Sequence, residues 1–156
     1  MSACILSTDG GARGNPGPAG VAFVIHDAAG HVVCSAGRYI GPATNNVAEY
    51  QALIWGLENA LALEFDEVAV RADSELVVRQ ILGEYRVKNP NIVPLFARVK
   101  ELIAAFEVFG IAHVSRAENT EADALANEAM DLEGEVGNPC AGGTAPRQGT
   151  LFGEGS

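Results

Sequence analysis

Basic residues are scarce in this 156-residue chain: 10 Lys+Arg stand against 20 Asp+Glu, giving a formal net charge of −10. Taken alone, that balance argues against a nucleic-acid partner, whose footprint is normally a basic patch or stripe. Cysteine is scarce too. Cys4, Cys34 and Cys140 form no CxxC pair, and their odd number fits neither a disulfide framework nor a zinc cage, so a reducing, cytoplasmic setting is expected. No apolar run nears the roughly 20 residues of a membrane span. The opening MSACILSTDGG has neither the basic flank nor the long apolar stretch of an export signal, so no membrane association is expected. What is present is globular: 48% hydrophobic and 19% charged residues, in a length that suits one domain with a sizeable core.

Residues from about Ala3 to Thr8 are apolar and end at Asp9, before GGARGNPGPAG, whose Gly and Pro break regular structure. VAFVIHD and HVVCSAGRYI read as two further strands joined by Asp27-Ala28-Ala29-Gly30, a hairpin turn. From Asn46, apolar residues at Tyr50, Leu53, Ile54, Leu57 and Leu61 predict a helix, and EVAVRAD a fourth strand ending in Asp73. A short helix is expected over 74–82. Another carries Leu95, Val99, Leu102, Ile103 and Phe106, with Gly110 closing it. Residues 111–115 predict a fifth strand and 120–132 a last helix. The order βββαβααβα implies an α/β fold: a five-stranded mixed sheet, antiparallel meander plus parallel strands, with helices on both faces. The domain is assigned to 1–132. The remainder, 133–156, reads as a flexible, Gly-rich C-terminal tail.

Four carboxylates stand at element ends. Singly, each has an ordinary structural reading: Asp9 in an Asx turn, Glu49 paired with Asn46 and Asp123 with Thr120 in capping boxes, Asp73 as a helix N-cap. Together they converge. If the first and fourth strands are parallel neighbours, Asp9 and Asp73 emerge side by side at the carboxyl edge, and helices starting there bring Glu49 and Asp123. Such a cluster repels itself unless a cation is bound. Oxygen-only ligation suits Mg²⁺ or Mn²⁺, and a pair of such ions on carboxylates is a phosphoryl-transfer device.

The strings TDGGARGNPGPAG, TNNVAEYQAL, ADSELVVRQI and HVSRAENTEADALANEA, in this order, resemble type 1 ribonuclease H (ribonuclease HI). The resemblance implies the ribonuclease-H-like fold and endonucleolytic cleavage of the RNA strand of an RNA–DNA hybrid. It further implies 3′-hydroxyl and 5′-phosphate ends and two Mg²⁺ or Mn²⁺ ions per site with substrate bound. Asp9, Glu49, Asp73 and Asp123 match the family's catalytic, metal-binding carboxylates. Asn15, Asn45 and Asn46 match minor-groove contacts to the hybrid, and Thr44 a phosphate contact on the DNA strand. Amide groups in a wide, shallow groove can read 2′-hydroxyls, which agrees with those matches. Four acidic residues as ligands, offset by two divalent ions, also remove the objection raised by the net charge.

Three departures accompany the resemblance. The loop SRAENTEAD lacks the His that many members carry there; His113 is expected to be a packed strand residue, and Arg116 is the candidate substitute, able to contact a phosphate but not to relay protons. Glu75 stands where some members carry an amide. The basic handle of several members is reduced to Arg86 and Lys88, which implies weak hybrid binding or help from another domain or partner. Trp55 is read as core. In the tail, Gln148, Leu151 and Phe152 form a QxxLF string that resembles a sliding-clamp-binding peptide. A monomer is expected. Two other readings stay open: a hybrid- or partner-binding module that does not cut, and a different nuclease on the same fold.

Overall fold

A computed structural model describes residues 2–139 of the chain. Its strands are β1 (Ala3–Ala12), β2 (Gly17–Asp27), β3 (Val32–Ala43), β4 (Glu67–Ala72), β5 (Val108–His113) and β6 (Glu135–Asn138); its helices are α1 (Asn45–Ala62), α2 (Glu75–Ile81), α3 (Val93–Ala104) and α4 (Thr120–Leu132). They form one mixed sheet in the order β5-β4-β1-β2-β3-β6. β1, β2 and β3 make the antiparallel meander, and β4 pairs parallel with both β1 and β5.

β2 shows why both faces of the sheet are covered. Its residues alternate in direction, as any strand's do, yet neither set is polar. Val21, Phe23 and Ile25 enter the main core with Leu6 and the residues of α1, while Ala22 and Val24 pack on Ala122 and Ala126 of α4. Between β2 and β3 the turn forms as expected: Asp27 Oδ1 accepts from the N–H groups of Ala29 (3.0 Å) and His31 (2.9 Å), and Gly30 has φ 91°. α1 is buried around most of its circumference, because the sheet covers one side and α3 the other. Trp55 lies in that core, edge-on to Phe23 with ring centroids 4.9 Å apart, as its apolar neighbours suggested.

The sheet has six strands where five were expected. Glu133 adopts φ 51° at the end of α4 and turns the chain back, and β6 then pairs antiparallel with β3, placing Glu135 opposite Arg38. The segment EVGN carries little hydrophobic signal. It is recruited by the unpaired backbone of β3, so the folded unit runs past 132 and its first tail residues are strand. A second correction concerns Gly110, which lies inside β5 and does not close α3. α3 stops at Ala104, and Asp66 accepts from the N–H of Glu107 (2.8 Å) to start β5 three residues early. His113 is thereby the exposed last residue of an edge strand, not a packed one. The cysteine reading also changes, since Cys34 is disulfide-bonded; Cys4 is a free, buried thiol. Among the described residues, no helix is long and apolar enough to cross a membrane.

Candidate active site

β1 does not end at Asp9 but runs on to Ala12, so Asp9 is held inside a strand. The parallel register with β4 ends at Thr8 opposite Ala72. Asp73 follows directly and therefore stands beside Asp9 at the carboxyl edge. α1 supplies the third carboxylate by approaching β1 at Gly10, where a Cβ would run into the Ala48 carbonyl and lie 2.7 Å from the Glu49 nitrogen. Only glycine permits that contact. The Gly10 N–H then donates to Glu49 Oε1 (3.2 Å).

The ordinary roles foreseen for these carboxylates are taken by their neighbours. Thr44 caps α1, its Oγ1 accepting from the Val47 N–H (3.2 Å), and Ser74 caps α2, accepting from the Val77 N–H (3.3 Å). Asn119 occupies the N-cap position of α4, making no side-chain cap bond there. Glu49 and Asp73 are therefore not caps, and the capping boxes read at Glu49 and Asp123 do not form.

Asp9, Glu49 and Asp73 can each offer an oxygen lying within 4.8 Å of the other two. Asp123 is not part of that set. It lines the same cavity, of about 350 Å³, with Asn45, Asn46 and Arg116. The arrangement is electrostatically costly without a cation. Burial, then the charges of Asp73 and Asp123, push the Asp9 carboxyl up to about 8, against a slight opposing pull from Arg116. Glu49 is also raised well above the usual carboxylate range, first by burial and then by Asp9 and Asp73. Asp73 Oδ2 is buried and accepts no hydrogen bond. A buried carboxylate oxygen without a donor is an unfavourable state that a hard divalent cation would relieve, so the residues present fit such a cation.

Of the other matched residues, Asn45, Asn46 and Arg116 line this cavity, and Asn15 and Thr44 lie next to that lining in the chain or through a hydrogen bond. Asn15 Oδ1 accepts from the Asn45 N–H (3.0 Å), and Asn45 Oδ1 accepts from the Ala12 N–H (2.8 Å), pinning the Gly-rich turn to the start of α1. Arg116 lies in a single 3-10 turn, Arg116–Glu118, and is exposed. Glu75 does not line the cavity; it pairs with Arg79 Nε at 2.9 Å. Arg86 and Lys88 border a separate shallow depression with Tyr85 and Leu76. Gln148, Leu151 and Phe152 lie outside the described residues. Three residues went unforeseen: Arg13 and Asn127 on the cavity wall, and buried Asn119, whose Nδ2 donates to the Thr8 carbonyl (2.9 Å) and fastens α4 beside Asp9. The only sequence signal for Asn127 was its place four residues after Asp123.

A family model described as "Reverse transcriptase-like" matches residues 7–129. The chain is 47% identical over 123 residues to the ribonuclease HI of Halobacterium salinarum, covering 79% of this chain and 62% of that protein. The crystal structure of RNase H1 from that archaeon superposes with a TM-score of 0.81 at 45% identity, covering 83% of this chain and 98% of the other. The chain belongs to the type 1 ribonuclease H family. A second member, LC11-RNase H1 in complex with an RNA/DNA hybrid, matches at 46% identity and a TM-score of 0.78, covering 83% of this chain and 97% of that one. Family members are also built into larger proteins. The bifunctional protein Rv2228c of Mycobacterium tuberculosis is 46% identical over 128 residues, which are 81% of this chain and 35% of that protein. The chain thus spans about two thirds or less of these curated relatives.

Proposed function

We propose that this chain is a metal-dependent endoribonuclease that hydrolyses the RNA strand of RNA–DNA hybrids, leaving 3′-hydroxyl and 5′-phosphate ends. The observation that carries the reading is the gathering of Asp9, Glu49 and Asp73, with a buried, unsatisfied Asp73 oxygen, beside a cavity that Asp9 and Glu49 line. The relative solved with an RNA/DNA hybrid supports the substrate class.

Asp9, Glu49 and Asp73 would hold divalent cations, Mg²⁺ or Mn²⁺, with Asp123, which lines the same cavity, completing the set. When bound, such ions supply positive charge at the scissile phosphate and lower the cost of forming hydroxide from water. The chain's own residues do the rest. Asp9 and Glu49, raised by burial and mutual repulsion, must give up their protons before they can ligate. Asn45 and Asn46 line the cavity and Asn15 is bonded to Asn45, so amide groups suited to 2′-hydroxyls and base edges in a minor groove stand together there. Thr44 stands at the N-terminus of α1, where a phosphate is favoured. Arg116 offers a guanidinium to a phosphate, a group suited to binding an oxyanion and not to relaying protons.

The test incubates the full chain with a labelled RNA–DNA hybrid, double-stranded RNA or double-stranded DNA, in Mg²⁺ or Mn²⁺, beside an Asp73→Asn variant. RNA should be cut in the hybrid alone and not by the variant. Binding of hybrid without cleavage would support a non-cutting module, and equal activity in the variant would remove the carboxylate mechanism.

A further inference from the structure

Three carboxylates converge, and the fourth, Asp123, is held apart by a different set of contacts. Asp123, Asn127 and Asp131 lie four residues apart along α4, which puts them in one row. Asn127 Nδ2 donates to Asp123 Oδ1 (3.3 Å) and to the Asp123 carbonyl (3.0 Å). At its other end, Asn127 Oδ1 accepts from Arg13 Nη2 (3.3 Å), a nitrogen that also donates to the Asn127 carbonyl (3.3 Å). Arg13 Nη1 in turn pairs with Asp131 Oδ1 at 2.8 Å.

Chemistry fixes the direction of this chain. A guanidinium only donates, so the carboxamide oxygen of Asn127 must face Arg13, and its amino group must then face Asp123. The reverse orientation would set an NH₂ against a guanidinium and an oxygen against a carboxylate. Arg13 belongs to the Gly-rich turn, two residues before Asn15. That turn is fastened to α1 by Asn15, Asn45 and Ala12, and to α4 by Arg13.

We propose that Arg13 and Asn127 are positioning residues for the Asp123 carboxylate, and that through them the turn offered to the hybrid is joined to the metal-binding end of the cavity. This rests on the metal-dependent reading above and adds two residues to it. Partners of this kind, which orient a ligand carboxylate without touching the ion, commonly change metal affinity by one to two orders of magnitude.

The test uses the full chain with Mn²⁺ alone, reading the rise in melting temperature with metal concentration, and separately kcat and KM on a labelled hybrid. Arg13→Ala and Asn127→Ala should each raise the half-saturating Mn²⁺ concentration roughly tenfold and lower kcat, with little change in KM. The double variant should be no worse than either single one, because both break the same chain of contacts. Arg13→Lys should not rescue, since an ammonium cannot fork between Asn127 and Asp131. Asp131→Asn, at an exposed position that should not impair folding, should shift the Mn²⁺ midpoint in the same direction by less. The proposal is overturned if Arg13→Ala raises KM for hybrid while the Mn²⁺ midpoint stays put, which would make Arg13 a phosphate contact, or if the two single effects add. If the native chain itself shows neither a Mn²⁺ shift nor cleavage, the functional reading falls and this proposal with it.

Discussion

The N–H of Gly10 donates to Glu49 Oε1 at 3.2 Å, so the strand that carries one carboxylate orients another through its own backbone. The contact depends on Gly10 lacking a side chain, because the α1 backbone at Ala48 and Glu49 fills the space a Cβ would take. Gly10→Ala is expected to push α1 off β1, at a cost of about 1–3 kcal/mol. Chemical denaturation should register that loss. Metal binding should weaken as well, since Glu49 moves with the helix.

Asp9 makes metal-free stability depend on pH in an unusual direction. Its carboxyl is raised from 3.8 to about 8 in the folded chain, so between those values the folded state keeps a proton that the unfolded state has lost. Stability must then fall as pH rises through that window. The melting temperature of the metal-free protein is expected to drop between about pH 5 and 8, and saturating Mn²⁺ to cancel most of the drop. Asp9→Asn should flatten the metal-free profile; a native profile that rises over this range would contradict the account.

Arg116 opposes the upward shifts of both Asp9 and Glu49. Removing its charge in Arg116→Ala should make both carboxyls harder to deprotonate, so that ligation needs a higher pH. At an exposed guanidinium the effect is small, below about 1 kcal/mol. The half-saturating Mn²⁺ concentration near neutral pH should rise about threefold, with the difference shrinking as pH increases.

β6 separates two views of the C-terminal segment. Ending the chain at residue 132 would strip β3 of its antiparallel partner and remove Glu135 from opposite Arg38. A tail without structure would leave stability unchanged. Loss of the strand should cost at least about 1 kcal/mol, seen as a lower denaturation midpoint, while Asp9, Glu49 and Asp73 keep their places.

Much of this was legible in the sequence because the relevant signals are local. Alternating apolar runs, the Asp27–Gly30 turn and the three-and-four spacing in α1 gave the element order, and strand-edge positions placed Asp9 beside Asp73. The caps fall one or two residues from the positions the sequence suggests, at Thr44, Ser74 and Asn119 in place of Asn46, Asp73 and Thr120, because composition does not choose between neighbouring polar residues. β6 was missed because EVGN pairs by backbone, which leaves no hydrophobic pattern. Gly110 reads as a helix stop because a glycine in an edge strand and one after a helix look alike in sequence. The division of the carboxylates into three and one, and the contacts of Asn127 with Arg13, are tertiary relations between residues far apart in the chain, 114 positions in the case of Arg13 and Asn127.

The parallel pairing of β1 with β4, and the docking of α4 beside Asp9 through Asn119, bear on the order in which the molecule is built. Its carboxylates come from both ends of the folded unit, and a ribosome releases residue 9 long before residue 123. The early meander can collapse on its own local contacts. The cation site cannot. Its fourth carboxylate waits for the last helix, so a nascent chain that has not yet added α4 carries Asp9, Glu49 and Asp73 without Asp123.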